Sequence, residues 1–117
     1  MPSTTTYKRG DVVLVPFPFT DLSTAKQRPA LVVSADSLNS TRDDVLVAAI
    51  TSQVPPALAA DEFLISGNDM KTSGLPKKSI VRLSKLASLH RQLIVKRIGT
   101  LPPQPLAQLL ARLRQLF

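Results

Sequence analysis

Short β-branched runs punctuated by turn signals, one leucine stripe at helical spacing near the C-terminus, and no internal repeat together predict a mainly β domain. The expected architecture is a small, strongly bent antiparallel barrel of the SH3-like kind carrying one C-terminal α-helix. The 117 residues suit a single domain spanning 1–117. A chain of this length buries roughly 65% of the surface it exposes when unfolded. It can therefore hold a core without disulfides or metal.

Each element has a local cause. Residues 1–8 are a polar lead-in expected to fray. Gly10-Asp11 signals a turn, and Val12 to Phe17 is the first strand; Pro16 cannot donate to a ladder, so the strand ends or meets an edge there. Residues 18–27, rich in Thr, Asp, Ser and Lys, form a loop. Arg28 to Ser34 is the second strand, because Pro29 drives Arg28 extended and is tolerated at a strand start. Residues 35–43 are polar, with room for one helical turn. Asp44 to Thr51 is the third strand, and residues 53–60 loop around Pro55-Pro56. A short strand at 62–66 precedes a glycine-containing, lysine-rich loop at 67–78. Ser79 to Leu83 is a strand extending towards Leu89, and Leu93 to Ile98 is the last, closed by Gly99. After Pro102-Pro103, Leu106, Leu109, Leu110, Leu113 and Leu116 recur at helical spacing, with Arg112, Arg114 and glutamines opposite.

Composition narrows the function. Fifteen Lys and Arg against eight Asp and Glu give a net charge of +7, which favours a polyanionic partner. Cysteine is absent, excluding a thiol nucleophile, a disulfide framework and a cysteine zinc site. Aromatic residues are only 4% and Trp is absent, so an extended base-stacking platform is not expected. No signal peptide or membrane-length apolar run is visible, so the expected location is the cytoplasm, with no membrane partner. No Gly-rich phosphate loop, HExxH, paired carboxylates or Ser-His-Asp arrangement stands in the chain, and no cofactor or metal is expected.

The spacing of the second and third strands brings two residues together. If residues 35–43 join them as a hairpin centred on 39, partners have numbers adding to about 78. Arg28 and Thr51 fit within a residue, at the open end beside the polar loop. A guanidinium is a planar fork of donors that matches phosphate oxygens. RNA brings its own nucleophile, the 2′-OH. A catalyst need only stabilise the phosphorane, position the 2′-OH and manage two proton transfers. Arg28 suits the first task, since a guanidinium holds its proton too firmly to act as a base. Thr51 suits donation to a phosphate oxygen or orientation of the 2′-OH.

Three segments, taken in order, are similar to the MazF/PemK family of toxin–antitoxin ribonucleases. They are Gly10-Asp11-Val12-Val13-Leu14-Val15-Pro16-Phe17-Pro18-Phe19-Thr20, then Gln27-Arg28-Pro29-Ala30-Leu31-Val32-Val33-Ser34, then Val47-Ala48-Ala49-Ile50-Thr51-Ser52. Gly74 to Arg82 and Ile98-Gly99-Thr100-Leu101 also resemble it, so the similarity spans about residues 8–115. The resemblance implies an SH3-like, CcdB-like barrel with a C-terminal helix, assembled as a homodimer. It implies a type II toxin that cleaves single-stranded RNA, mRNA included, without metal, leaving 2′,3′-cyclic phosphate and 5′-OH ends. It implies a cognate antitoxin whose disordered tail occupies the RNA groove. Arg28 and Thr51 fall on the family's catalytic arginine and threonine. The acidic residue that some members carry late in the first loop is missing from Ser23-Thr24-Ala25-Lys26. Asp21 is the nearest carboxylate, and the proton acceptor is otherwise unassigned.

Further candidates for RNA contact or catalysis are Phe17, Thr20, Ser23, Thr24, Lys26, Gln27, Ser52, Gln53, Lys77 and Lys78. Lys77 and Lys78, with Lys71, lie in one loop as phosphate contacts, and Gln53 stands where it can read a base edge or end the strand. Phe17 and Phe19 point to one face, as core or base contacts. His90, the one histidine, is expected in a turn away from Arg28. Two other functions remain in view: a CcdB-like toxin acting on a protein target, and a non-catalytic RNA-binding or regulatory relative.

Overall fold

The computed structural model describes residues 6–16 and 27–117. Its elements in chain order are β1 (Asp11–Val15), β2 (Arg28–Val32), α1 (Asp36–Thr41), β3 (Asp44–Thr51), β4 (Glu62–Ile65), α2 (Asp69–Ser73), β5 (Ser79–His90), a 3-10 turn (Arg91–Leu93), β6 (Lys96–Thr100) and α3 (Pro103–Gln115). The six strands form one antiparallel sheet in the order β4-β5-β3-β2-β1-β6, curled into a half-barrel with α3 as its C-terminal helix. The expected mainly β fold is borne out.

Burial on both faces of the curl explains the β-branched runs. One face gathers Val13, Val15, Ala30, Val32, Val45, Val47 and Ala49 with Tyr7 and Ile94. The other gathers Val12, Leu31, Ala48, Ile50, Val81 and Leu83 with Leu109 of α3. Alternate residues of one strand serve opposite faces, the period-2 rule of a pleated sheet. Two doubly apolar faces read as unbroken apolar strands, as in Asp44–Thr51.

The β2–β3 pairing has the register that the spacing implies. Ala30, Leu31 and Val32 face Ala49, Ala48 and Val47, and each pair of numbers adds to 79. The connection is a helical turn fixed by its own polar groups. Asn39 is buried; its amide donates to Ser34 O at 3.1 Å, and Ser34 Oγ donates to Asn39 Oδ1 at 2.5 Å and accepts from Leu46 N at 3.1 Å. α3 begins with Pro103, whose missing N–H would be unpaired in a first turn anyway.

Three expectations need correction. The last strand starts at Lys96 and runs through Gly99 to Thr100, later than the expected Leu93 to Ile98. Only Ile94 of that apolar run turns into the core, while Leu93 and Val95 stay 50% and 49% exposed. Lys71 belongs to α2 rather than to a loop. The second strand stops at Val32 instead of Ser34, because Ser34 is drawn into the Asn39 cluster. Phe17, placed at the end of the first strand, lies outside the described residues.

Candidate active site

β2 and β3 end together at one rim of the sheet. Continuing their register two residues past Ala30 and Ala49 sets Arg28 opposite Thr51. Both are two-residue steps, so both side chains emerge on the face of Ala30 and Ala49, where apolar packing gives way to solvent. The β2–β3 ladder begins only after Pro29, which has no N–H to give it. Arg28 is exposed and Thr51 half-buried. Thr51 Oγ1 accepts from Gln53 N at 3.2 Å. That local turn occupies a lone pair of the hydroxyl and leaves its O–H to donate elsewhere.

Arg28 and Thr51 line a groove of about 600 Å3 whose other charged residues are Lys77, Arg82 and Lys85. Among the described residues, every charged side chain on this lining is cationic. Ser52 and Gln53 form part of the wall, and Leu14, Ile50, Leu75 and Ile98 supply apolar floor.

A sheet irregularity builds one wall. β3 pairs with β5 in one register from Asp44↔His90 to Ala48↔Leu86 and in another from Ala49↔Arg82 to Thr51↔Ile80. Leu83, Ser84 and Lys85 therefore fall between the two registers. Such bulges re-aim side chains, and here Arg82 and Lys85 flank the bulge on the groove. Ser84 Oγ donates to Asp61 Oδ2 at 2.5 Å and Leu83 N to Asp61 O at 2.7 Å, which pins the bulged segment.

Lys77 is set by a backbone contact. Gly74 ends α2 at φ +73, and a Cβ there would fall 1.9 Å from Ile98 O; a Cβ on Gly99 would fall 2.2 Å from Ser73 C. Only paired glycines allow α2 and β6 to approach so closely. Leu75 is then buried beside them, and Ser79 Oγ donates to Lys77 O at 2.7 Å. The segments Gly74 to Arg82 and Ile98 to Leu101, far apart in sequence, thus meet on one wall.

A second, smaller cleft of about 330 Å3 adjoins the groove. Thr51, Gln53 and Arg82 line both. Val54, Pro55, Ile80 and Glu62 complete it. Glu62 lies opposite Arg82 in the β4–β5 register, and its Oε1 accepts from Ala59 N at 2.8 Å. Arg82 Nε is buried without a hydrogen-bond partner among the described residues.

Of the residues singled out from the sequence, Arg28, Thr51, Ser52, Gln53 and Lys77 share the groove. Gln27 and Lys78 are exposed but do not line it. Phe17, Phe19, Thr20, Asp21, Ser23, Thr24 and Lys26 lie outside the described residues. His90 is at the opposite end of β3 from Thr51, paired with Asp44; its Nδ1 accepts from Gln92 N at 3.1 Å. Arg82, Lys85 and Glu62 were not singled out. Arg82 stood inside a quoted motif, but its place depends on a bulge that only the β3 pairing creates. Among the described residues, no three His, Cys, Asp or Glu group as metal ligands would, and no helix is long and apolar enough to cross a membrane.

Known proteins are similar to this chain in sequence and fold. Residues 8–117 match the family model of the PemK-like, MazF-like toxin of type II toxin–antitoxin systems. Over 79 residues, 67% of either chain, the sequence is 32% identical to "Endoribonuclease MazF2" of Mycobacterium bovis and equally to "Endoribonuclease MazF6" of Mycobacterium tuberculosis. Among solved structures, a MazF from Deinococcus radiodurans superposes with a TM-score of 0.74 at 21% identity, covering 97% of both chains. An endoribonuclease from a mycobacterial species, solved with its cognate antitoxin, superposes at 0.73 and 18% identity, covering 93% of this chain and 92% of that one. A match across nearly the whole chain, joined by relatives above 30% identity, shows that this chain belongs to the PemK/MazF-like toxin family of type II toxin–antitoxin systems.

Proposed function

We propose that this chain, an endoribonuclease of the PemK/MazF toxin family, cuts single-stranded RNA in the Arg28–Thr51 groove by activating the RNA's own 2′-OH. One observation carries the site: the β2–β3 register, extended past Ala30 and Ala49, sets Arg28 opposite Thr51 at the rim of a groove whose charged lining among the described residues is cationic. The 2′-oxygen forms a bond to phosphorus, the bond from phosphorus to the 5′-oxygen breaks, one proton leaves the 2′-OH and one reaches the departing 5′-oxygen. The products are a 2′,3′-cyclic phosphate and a 5′-OH, and the step consumes no water or metal.

Arg28 stabilises the phosphorane. Its fork fits two phosphate oxygens, and a preorganised donor of this kind contributes about 2.7–4 kcal/mol to a transition state. Thr51 donates its hydroxyl hydrogen to a phosphate oxygen, with Gln53 N holding the rotor. Lys77 and Lys85 hold the flanking phosphates. No carboxylate lines the groove among the described residues, so Asp21 is retained as the candidate acceptor of the 2′-OH proton.

The protein acts in the cytoplasm as a homodimer held in check by an antitoxin, whose acidic tail competes with RNA for the groove. The net charge of +7 supports a polyanionic competitor, and relatives solved together with antitoxins support the pairing.

Mapping both ends of the fragments of a long RNA, cut in EDTA, tests the proposal. Cyclic-phosphate and 5′-OH ends are expected, and a 2′-deoxy substitution at a cut site should block it. A strict need for divalent metal, or cutting of the 2′-deoxy substrate, would refute it.

A further inference from the structure

A carboxylate is out of place beside a groove for a polyanion. Glu62 is half-buried in the second cleft, which opens onto the groove through Thr51, Gln53 and Arg82. With Glu62 beside Arg82 the cleft lacks the net positive charge of the groove, so it suits an occupant other than phosphate. Val54, Pro55 and Ile80 give the cleft apolar walls suited to a flat ring, and about 330 Å3 admits one nucleobase.

The polar groups specify the ring's edge. Glu62 Oε1 accepts from Ala59 N, which orients the carboxylate; Oε2 has no protein partner among the described residues. The Gln53 carboxamide and the Arg82 guanidinium line the same cleft, and neither side chain has a hydrogen-bond partner among those residues. The cleft therefore offers one oriented acceptor beside two uncommitted donors. Cytosine, adenine and guanine each present an exocyclic amino donor near an acceptor. Uracil has no amino group, and its one edge donor, N3–H, sits between two carbonyl oxygens that a carboxylate meets with repulsion on either side.

We infer that the cleft between β4 and the end of β3 is a base-specificity subsite. It takes a nucleobase carrying an exocyclic amino group, next to the scissile phosphate, and Glu62 discriminates against uracil. This rests on the single-stranded RNA reading of the groove. Glu62 is a specificity residue here, and its carboxylate takes no part in the proton transfers.

Glu62→Gln makes a sharp test. With its amide oxygen held by Ala59 N, glutamine presents an NH2 where glutamate presents Oε2, so the polarity reverses. The probes are 2′-O-methyl uridine heptamers with a single C, A or G placed at each position in turn. They are uncleavable, and binding is read by fluorescence anisotropy. For the unaltered full-length protein, an amino-bearing base at one position should raise affinity about tenfold over uridine. In Glu62→Gln that preference should vanish or invert towards uridine, with an unchanged melting temperature. Cut-site maps should show the same position changing and no other.

No discriminating position in the unaltered protein would overturn the inference. So would discrimination that survives Glu62→Gln, or a uniform loss of cutting at all sites with binding preference intact, which would make Glu62 part of the reaction. Because binding is read without cleavage, failure of the protein to cut RNA would refute the catalytic proposal and leave this test standing.

Discussion

The two ends of the β2–β3 hairpin do opposite work. At the connection, Ser34, Asn39 and the Leu46 N–H satisfy one another inside the fold. At the open end, the side chains of Gln53 and Arg82 have no hydrogen-bond partner among the described residues and face a groove. The first arrangement stabilises a register. The second places side chains by means of that register and leaves them for a ligand. Function is thus held at a distance from the polar cluster that secures it.

Substitutions at the two ends should separate cleanly. Arg28→Ala is expected to have the largest effect, slowing RNA cutting by about 10²–10³-fold with its melting temperature unchanged, as read by a fluorogenic RNA and a thermal melt of the same sample. Soluble Arg28→Ala protein that cuts at the normal rate would remove Arg28 from the mechanism. Thr51→Val keeps the β-branched shape but loses the hydroxyl; cutting should fall by about 10–100-fold, and equal rates would show that the hydroxyl is idle. Asn39→Ala should do the reverse. Leaving Ser34 with an unpaired buried partner costs about 1–3 kcal/mol of stability, seen as a lower urea midpoint, while folded protein cuts normally. An undiminished midpoint would mean that the cluster does not secure the register. Smallest is Lys77→Gln, which should weaken RNA binding slightly and reduce the slope of log affinity against log salt by about 0.7. A slope equal to that of the unaltered protein would take Lys77 off the phosphate path.

Much of this contrast was legible in the sequence, for physical reasons. Hairpin register depends on the length of the connection and on alternation, both of which are local. The β3 strand Asp44–Thr51 followed from its apolar run, and the β2–β3 register from counting residues. The leucine stripe of α3 was legible because one face of a helix repeats strictly. The start of β6 was not, because Leu93 and Val95 carry strand-like side chains yet remain exposed around a 3-10 turn. α2 was missed because its five residues, without a side-chain cap, leave almost no periodic trace. Arg82, Lys85 and Glu62 were missed because a bulge defined by two registers, and a cleft shared by three strands, exist only after the sheet has formed.

Leu83–Lys85, which fall between the two registers with β3, give this sheet a length buffer. Pairing is in order on both sides of them, so chain can be gained or lost there while Asp44–Ala48 stays matched to Leu86–His90. A change of one residue would swing Arg82 or Lys85 along the groove without asking the rest of the barrel to re-register. Substrate preference can therefore drift in small steps on a scaffold that stays put, and libraries that vary only the length and identity of residues 83–85 are the natural place to redirect it.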